Sequence, residues 1–173
     1  MKLETERLRI RPPQKSDADD YMTFCNSEFV LQYNAMTSRT KEQVEEQFSA
    51  PDESTFVLEL KETGKVIGVV SIEEDSLRWD VNSRELSYFI SEAFSRQGYM
   101  KEALTAVIRH LFETEELDCV AARSFAPNKA SKALLASLGF HQDGLIPHCV
   151  KGYQDIVFDD TLWSLLRKEY TAL

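Results

Sequence analysis

Residues 95–112 read Ser95-Arg96-Gln97-Gly98-Tyr99-Met100-Lys101-Glu102-Ala103-Leu104-Thr105-Ala106-Val107-Ile108-Arg109-His110-Leu111-Phe112. Met100, Ala103, Leu104, Val107, Ile108, Leu111 and Phe112 recur with helical spacing and form one apolar stripe. Ahead of them lies a short loop with one glycine, Gly98. A glycine turn that opens onto a helix leaves several backbone N–H groups without intrahelical partners. All of them sit at the positive end of the helix dipole. Such a place is a receptor for phosphate oxygens.

Strands are expected on both sides of this stretch. Glu85–Ile90 leads into the loop and Cys119–Phe125 follows the helix. Asn128 is the expected N-cap of a further helix, with Leu134, Leu135 and Leu138 on its buried side and Gly139 as its stop. Phe140 begins another strand, which Gly144 and Pro147 are expected to break. Ile156–Leu165 reads as a strand, and Ser164–Tyr170 as a closing helical turn. Upstream, Arg7–Arg11 alternates charged and apolar residues, as a strand with one wet face does. Pro12-Pro13 ends it. Ser16 is the expected N-cap of a helix to about Asn26, and Glu28–Asn34 is ambiguous. Thr40-Lys41-Glu42-Gln43 has capping-box spacing, predicting a helix to about Phe48 that stops near Pro51. Ser54–Leu60 and Val66–Ile72, joined at Thr63-Gly64-Lys65, read as a hairpin. Leu77–Ser83 is a connection carrying Trp79. The sum is a single domain over residues 1–173, of mixed α/β (α+β) class.

Composition narrows the function. The chain has 173 residues, 43% apolar and 28% charged, which is ordinary for a globular domain. No run approaches the roughly 20 apolar residues that span a bilayer. The N-terminus lacks the apolar segment of a signal peptide. Cys25, Cys119 and Cys149 are scattered, with no metal or disulfide spacing. A cytoplasmic protein with reduced thiols, no metal and no membrane partner is the expectation. The net charge of −9 argues against nucleic acid and favours a cationic partner. The window from Arg96 to Lys132 departs from this balance. Its six Lys/Arg against five Asp/Glu give +1, a local anion site in an acidic chain. Neither GxxxxGK[ST] nor GxGxxG occurs, so a nucleotide kinase is not indicated.

Arg96-Gln97-Gly98-Tyr99-Met100-Lys101-Glu102-Ala103 resembles the acetyl-CoA loop of the GNAT N-acetyltransferases. Asn128-Lys129-Ala130-Ser131-Lys132-Ala133-Leu134-Leu135-Ala136-Ser137-Leu138-Gly139-Phe140 resembles their second motif, Asn-x-x-Ser-x-x-x-Leu-x-x-x-Gly-Phe. The opening Leu3–Arg11, the strand Glu85-Leu86-Ser87-Tyr88-Phe89-Ile90 and the closing Asp159, Trp163 and Leu166 are similar to the RimJ/RimL-like branch, which acetylates ribosomal-protein alanine or serine. The resemblance covers essentially the whole chain. It implies a mostly antiparallel, splayed sheet of about seven strands flanked by about four helices. It also implies acetyl-CoA as cosubstrate without a metal, an amine acceptor such as a protein N-terminus or a cationic small molecule, and a homodimer. The cofactor-binding positions it implies are Phe89, Ile90, Arg96, Gln97, Gly98, Tyr99, Met100, Lys101, Asn128 and Ser131. Two loop positions depart from the family form: Ser95 replaces a Gln or Arg, and Met100 a small residue.

Acyl transfer to an amine requires proximity, loss of a proton from the ammonium, a donor to the oxyanion, and a proton for the departing sulfur. Glu85 is the candidate base, since burial beside Leu86 and Phe89 raises a carboxyl pKa. A backbone N–H near Phe89 or Ile90 is the implied oxyanion donor. The tyrosine that many family members carry four residues before the second-motif glycine is Leu135 here. Ser131 is therefore the candidate proton donor, with Tyr88, Tyr99 and Tyr153 as further candidates. The missing tyrosine leaves open a second reading, a non-catalytic acyl-CoA-binding or sensing domain. The resemblance assigns acceptor binding to about residues 29–47 and 142–155.

Overall fold

A computed structural model describes residues 1–50 and 53–170. The strands are β1 (Leu3–Glu4), β2 (Leu8–Arg11), β3 (Thr55–Leu60), β4 (Val66–Glu74), β5 (Ser83–Ile90), β6 (Cys119–Phe125), β7 (His141–Lys151) and β8 (Val157–Leu166). The helices are α1 (Ala18–Met22), α2 (Glu28–Leu31), α3 (Lys41–Ser49), α4 (Tyr99–Glu113) and α5 (Lys129–Ser137). All eight strands join one sheet in the order β1-β2-β3-β4-β5-β6-β8-β7. The counts exceed expectation by one strand and one helix among the described residues. The two-residue β1 and the one-turn α2 are each too short to leave a periodic signal.

Among the described residues only β5 and β6 pair in parallel, and α4 is the crossover that a parallel pair needs. Their register runs from Ser83↔Cys119 to Leu86↔Ala122 and ends there. Both strands continue, β5 to Ile90 and β6 to Phe125. The sheet is therefore splayed at one place, with a gap between two diverging strands.

Side chains alternate across a strand, so the sheet has two chemically distinct faces. Leu86 and Val120 point to the face covered by α4 and α5. There all seven stripe residues of α4 are buried, with Leu104, Val107 and Ile108 fully so. Each such Leu or Ile contributes about 1.5–3 kcal/mol relative to an exposed position. Phe89 and Val69 point to the opposite face, where a smaller core forms with Tyr21, Phe24, Val44 and Phe48 of the α1–α3 region. The capping box on α3 forms as expected: Gln43 N donates to Thr40 Oγ1 at 3.3 Å and Thr40 N to Gln43 Oε1 at 2.9 Å.

Three local expectations are corrected. Ser16 is not an N-cap but lies within a 3-10 turn, Lys15–Asp17. Asp17 bonds Gln14 N at 2.7 Å and receives the Arg11 fork at 2.7 and 2.9 Å, which fixes the turn one residue away from the expected cap. Gly144 and Pro147 do not break β7. The strand lies at the sheet edge, and register shifts at Gln142/Gly144 and Ile146/Val150 absorb both residues, as bulges do. Ser164 belongs to β8 and not to the closing turn, which Tyr170 N makes to Leu166 O at 3.0 Å. The expected stop at Pro51 lies outside the described residues; α3 ends at Ser49. No helix among the described residues is long and apolar enough to cross a membrane.

Candidate active site

The loop before α4 is held from its carbonyl side. Glu102 accepts from Thr5 Oγ1 at 2.5 Å, Arg7 N at 2.8 Å and Arg7 Nε at 2.6 Å, while Arg7 Nη1 donates to Gln97 O at 3.1 Å. The Arg7 guanidinium lies 4.1 Å from the centroid of the Tyr99 ring. The first helical bond runs from Glu102 N to Gly98 O at 3.0 Å. The N–H groups of Gln97 through Lys101 thus precede it at the helix's positive end. Gly98 has φ +85, and Arg96 is also left-handed at φ +58. Met100 turns into the core at 8% exposure, so its bulk stays out of the loop. Arg96, Gln97 and Lys101 are exposed beside those amides. A groove of about 420 Å³, lined by Glu4, Thr5, Gly98, Lys101, Glu102, Thr105, Ala106 and Arg109, runs from the loop along the outer surface of α4, away from the strand gap.

The gap offers backbone as well as side chains. Ser91 N donates to Ile67 O at 2.8 Å, so its peptide groups point to β4. By alternation the Phe89 peptide groups also point to β4, while its ring packs on Tyr21 and Phe24 on the α1–α3 face. Tyr88 and Ile90 then direct their N–H and C=O groups into the gap, beyond the last β5–β6 pair.

On the α4–α5 face of the gap stand hydroxyls. Tyr88 Oη and Ser131 Oγ are 2.9 Å apart. Asn128 caps α5, its Oδ1 accepting from Ser131 N at 3.1 Å, which fixes Ser131 in the first turn. Burial pushes the Tyr88 phenol up to about 12, so it stays protonated near neutral pH. Ser124, on β6, shares this face with Ala122, and its buried Oγ has no hydrogen-bond partner among the described residues. Leu135 is fully buried.

On the other face stand charges. Glu85 is half-buried and pairs across the sheet with Glu73. Burial holds its carboxyl above the usual range; Arg123 opposes this, and Asp75, Glu73 and Asp160 reinforce it. Arg123 Nε contacts buried Asp160 at 2.7 Å, and its Nη2 lies 3.1 Å from Cys149 Sγ. Asp160 Oδ1 is buried without a hydrogen-bond partner among the described residues. Next to these, Phe125 and Phe158 stack at 5.1 Å, and Tyr33 meets both edge-on at 6.4 and 6.1 Å. Sequence reasoning did not single out Arg123 or this aromatic wall, and it reached Asp160 only as half of the acidic pair Asp159-Asp160, a candidate contact for a cationic substrate. One signal was present, a lone arginine inside the otherwise uncharged strand Cys-Val-Ala-Ala-Arg-Ser-Phe. Tyr99 packs under Arg7 and against Phe94, away from the Tyr88–Ser131 pair. His110 pairs with Glu115 at 3.2 Å, and Cys119 is buried.

Comparison with known proteins fits this geometry. Residues 7–141 match the model of the acetyltransferase (GNAT) domain. The chain is 27% identical over 178 residues to an uncharacterised N-acetyltransferase, p20, of Bacillus licheniformis, covering 98% of both. It is 35% identical over 80 residues to the ribosomal protein uS5 alanine N-acetyltransferase of Escherichia coli, 46% of this chain and 41% of that one. Among solved structures, a GNAT-family acetyltransferase from Bacillus anthracis superposes with a TM-score of 0.86 at 18% identity, covering 98% of this chain and all of that one. The likeness to the RimJ/RimL-like branch and the splayed sheet point the same way, and the chain belongs to the GNAT family of N-acetyltransferases.

Proposed function

We propose that the chain moves an acetyl group from acetyl-CoA to a primary amine by direct attack in a ternary complex. The observation that carries this reading is the gap itself. One end opens toward a row of amides at a helix N-terminus. Its β5 edge presents the backbone groups of Tyr88 and Ile90. A carboxyl lies on one face and a hydroxyl pair on the other. The residues present suit coenzyme A on each count. The Gln97–Lys101 amides, with Arg96 and Lys101, would hold the pyrophosphate without a metal. The free backbone groups of Tyr88 and Ile90 would pair with the amide-bearing arm as a strand would. The buried, unpaired Ser124 Oγ is a polar group in want of a partner.

Acetyl-CoA supplies the activated acyl thioester when bound. Glu85 removes the ammonium proton directly or through one water, and its raised pKa brings it closer to an amine's. The Ile90 N–H, directed into the gap beyond the last β5–β6 pair, would be the donor to the acyl oxygen as negative charge develops on it. Ser131 serves the departing sulfur from the opposite face. The two faces thus have separate tasks, with the amine handled on one and the sulfur on the other.

The acceptor side suits a cation, since Glu73, Glu85 and Asp160 stand on it. One relative is named for alanine acetylation of a ribosomal protein, so a protein N-terminus is the first acceptor to try. The test is incubation of the purified protein with acetyl-CoA and a panel of amines and N-terminal peptides, following free thiol. Release of thiol with a matching acetylated product supports transfer. Tight coenzyme A binding without turnover on any acceptor favours a sensing domain instead.

A further inference from the structure

We propose that Tyr88 is a positioning residue for the departing sulfur: it fixes the Ser131 hydroxyl so that the hydroxyl pair always presents one O–H into the gap. The inference rests on the acetyl-CoA reading above, which uses the Tyr88 backbone and gives its phenol no task.

The argument is a count of protons. Tyr88 and Ser131 carry one hydroxyl proton each and share one hydrogen bond at 2.9 Å. Whichever group donates in that bond, the other keeps a free proton. Ser131 has little freedom to waste it. Its backbone is held by the Asn128 cap, and its hydroxyl is held by Tyr88. Tyr88 is anchored in turn, because its strand pairs with β4 and its ring packs on the α4–α5 core. The gap offers the free proton a direction, since the strands have parted there and Ser124 Oγ also has no partner among the described residues.

The pair acts by hydrogen bonding and not by surrendering a proton. A thiol is far more acidic than either a serine hydroxyl or a buried phenol. When the carbon–sulfur bond breaks, its electron pair goes to sulfur, and a thiolate is the stable product. The O–H dipole lowers the energy of that thiolate and of the partial charge that precedes it. The proton that eventually reaches sulfur comes from solvent, or from Glu85 after it has accepted one from the amine. The phenol stays protonated throughout, so the pair resets without a further step.

Two measurements test this. In the first, coenzyme A itself is the probe. Its thiolate absorbs in the far ultraviolet, and a pH titration of the bound complex gives the thiol pKa. Wild-type protein should lower that pKa relative to free coenzyme A, and Tyr88→Phe and Ser131→Ala should each return it towards the free value. A purely structural Tyr88 would change melting temperature or affinity and leave this titration alone. In the second, kcat for a working acceptor should fall about tenfold in Tyr88→Phe with both KM values unchanged. The double variant should be no slower than Ser131→Ala, because the two hydroxyls act as one hydrogen-bonded unit, and Ser131→Thr should restore most of the rate. An unchanged thiol pKa in Tyr88→Phe, or losses that multiply in the double variant, would overturn the proposal. The titration needs no acceptor, so lack of turnover leaves it readable. If coenzyme A does not bind wild-type protein at all, the acetyl-CoA reading fails first and this proposal with it.

Discussion

The two faces of the splayed sheet are built by different means. The α4–α5 face rests on one long helix with an uninterrupted apolar stripe, and its core spans β2 to β8. The α1–α3 face rests on short helices of five, four and nine residues, and its core is smaller. The first face has few polar groups near the gap, and they are neutral hydroxyls. The second gathers Glu73, Glu85, Arg123 and Asp160 around the same gap. On the proposed function the difference is a division of labour. The face proposed to hold the cosubstrate is rigid and neutral. The face proposed to receive a charged acceptor carries charge and is assembled from small, separable pieces.

The largest expected effect breaks the charged face. Glu85→Gln should lower kcat by about 10²–10⁴-fold while coenzyme A affinity is kept. The same change should stabilise the protein. Burial and the nearby acids raise the Glu85 pKa in the folded state, so its favourable contribution is present below its unfolded pKa and lost as pH rises through the folded value. At neutral pH the ionised carboxyl is a net cost that Gln removes. A rise of roughly 1–3 °C in melting temperature at neutral pH, vanishing in acid, is expected. A stable but fully active variant would remove Glu85 from the mechanism.

The neutral face should break through its core instead. Leu104→Ala, at a fully buried site, should cost about 2–5 kcal/mol by urea denaturation. Activity per folded molecule should be nearly retained. Hydrogen exchange sharpens the same contrast: α4 amides should open only with global unfolding, and α1–α3 amides earlier. Next in size is Gly98→Val. A β-branched residue at φ +85 is strained, and its Cβ would lie 3.3 Å from the Arg7 guanidinium. If that strain of about 1–2 kcal/mol is relieved by distorting the loop, coenzyme A affinity should fall about 5–30-fold, with the fold intact. Unchanged affinity would show that the loop amides do not bind phosphate.

What the sequence disclosed follows the same division. The stripe of α4 is periodic over four turns, so the helix, its buried residues and its Gly98 start were legible residue by residue. Asn128 and Thr40 were legible as caps because their partners lie three residues away. Glu85 was read as a candidate base from its apolar neighbours Leu86 and Phe89, and the structure half-buries it. Arg123 and the Tyr33–Phe125–Phe158 wall were not legible, and Asp160 could not be told from a strand-end acid, because each depends on pairings such as Arg123↔Leu162 and Phe125↔Asp160 that no local pattern encodes. Tyr88 was one tyrosine among several until the end of the β5–β6 register put it beside Ser131. The passage of β7 through Pro147 was illegible for a related reason, since only an edge position with a bulge tolerates it.

The smallest expected effect concerns the tie between the N-terminal strands and the loop before α4. Glu102 joins them by bonds to Thr5 and Arg7. Burial alone would raise its pKa, but the bonds from Thr5 and from the Arg7 backbone and guanidinium outweigh that and hold it below 4.5. A depressed carboxyl contributes stability that is present above its unfolded pKa and lost as pH falls through the folded value. Glu102→Gln should therefore cost about 1 kcal/mol at neutral pH, and the gap to wild type should close as pH drops below about 4.5. Because Arg7 also reaches Gln97 O, the variant should weaken coenzyme A binding slightly without touching the thiol pKa of the bound complex. A stability difference that persists unchanged into acid would mean that Glu102 acts by packing alone, and the ion pair with Arg7 would then be no part of what holds the loop.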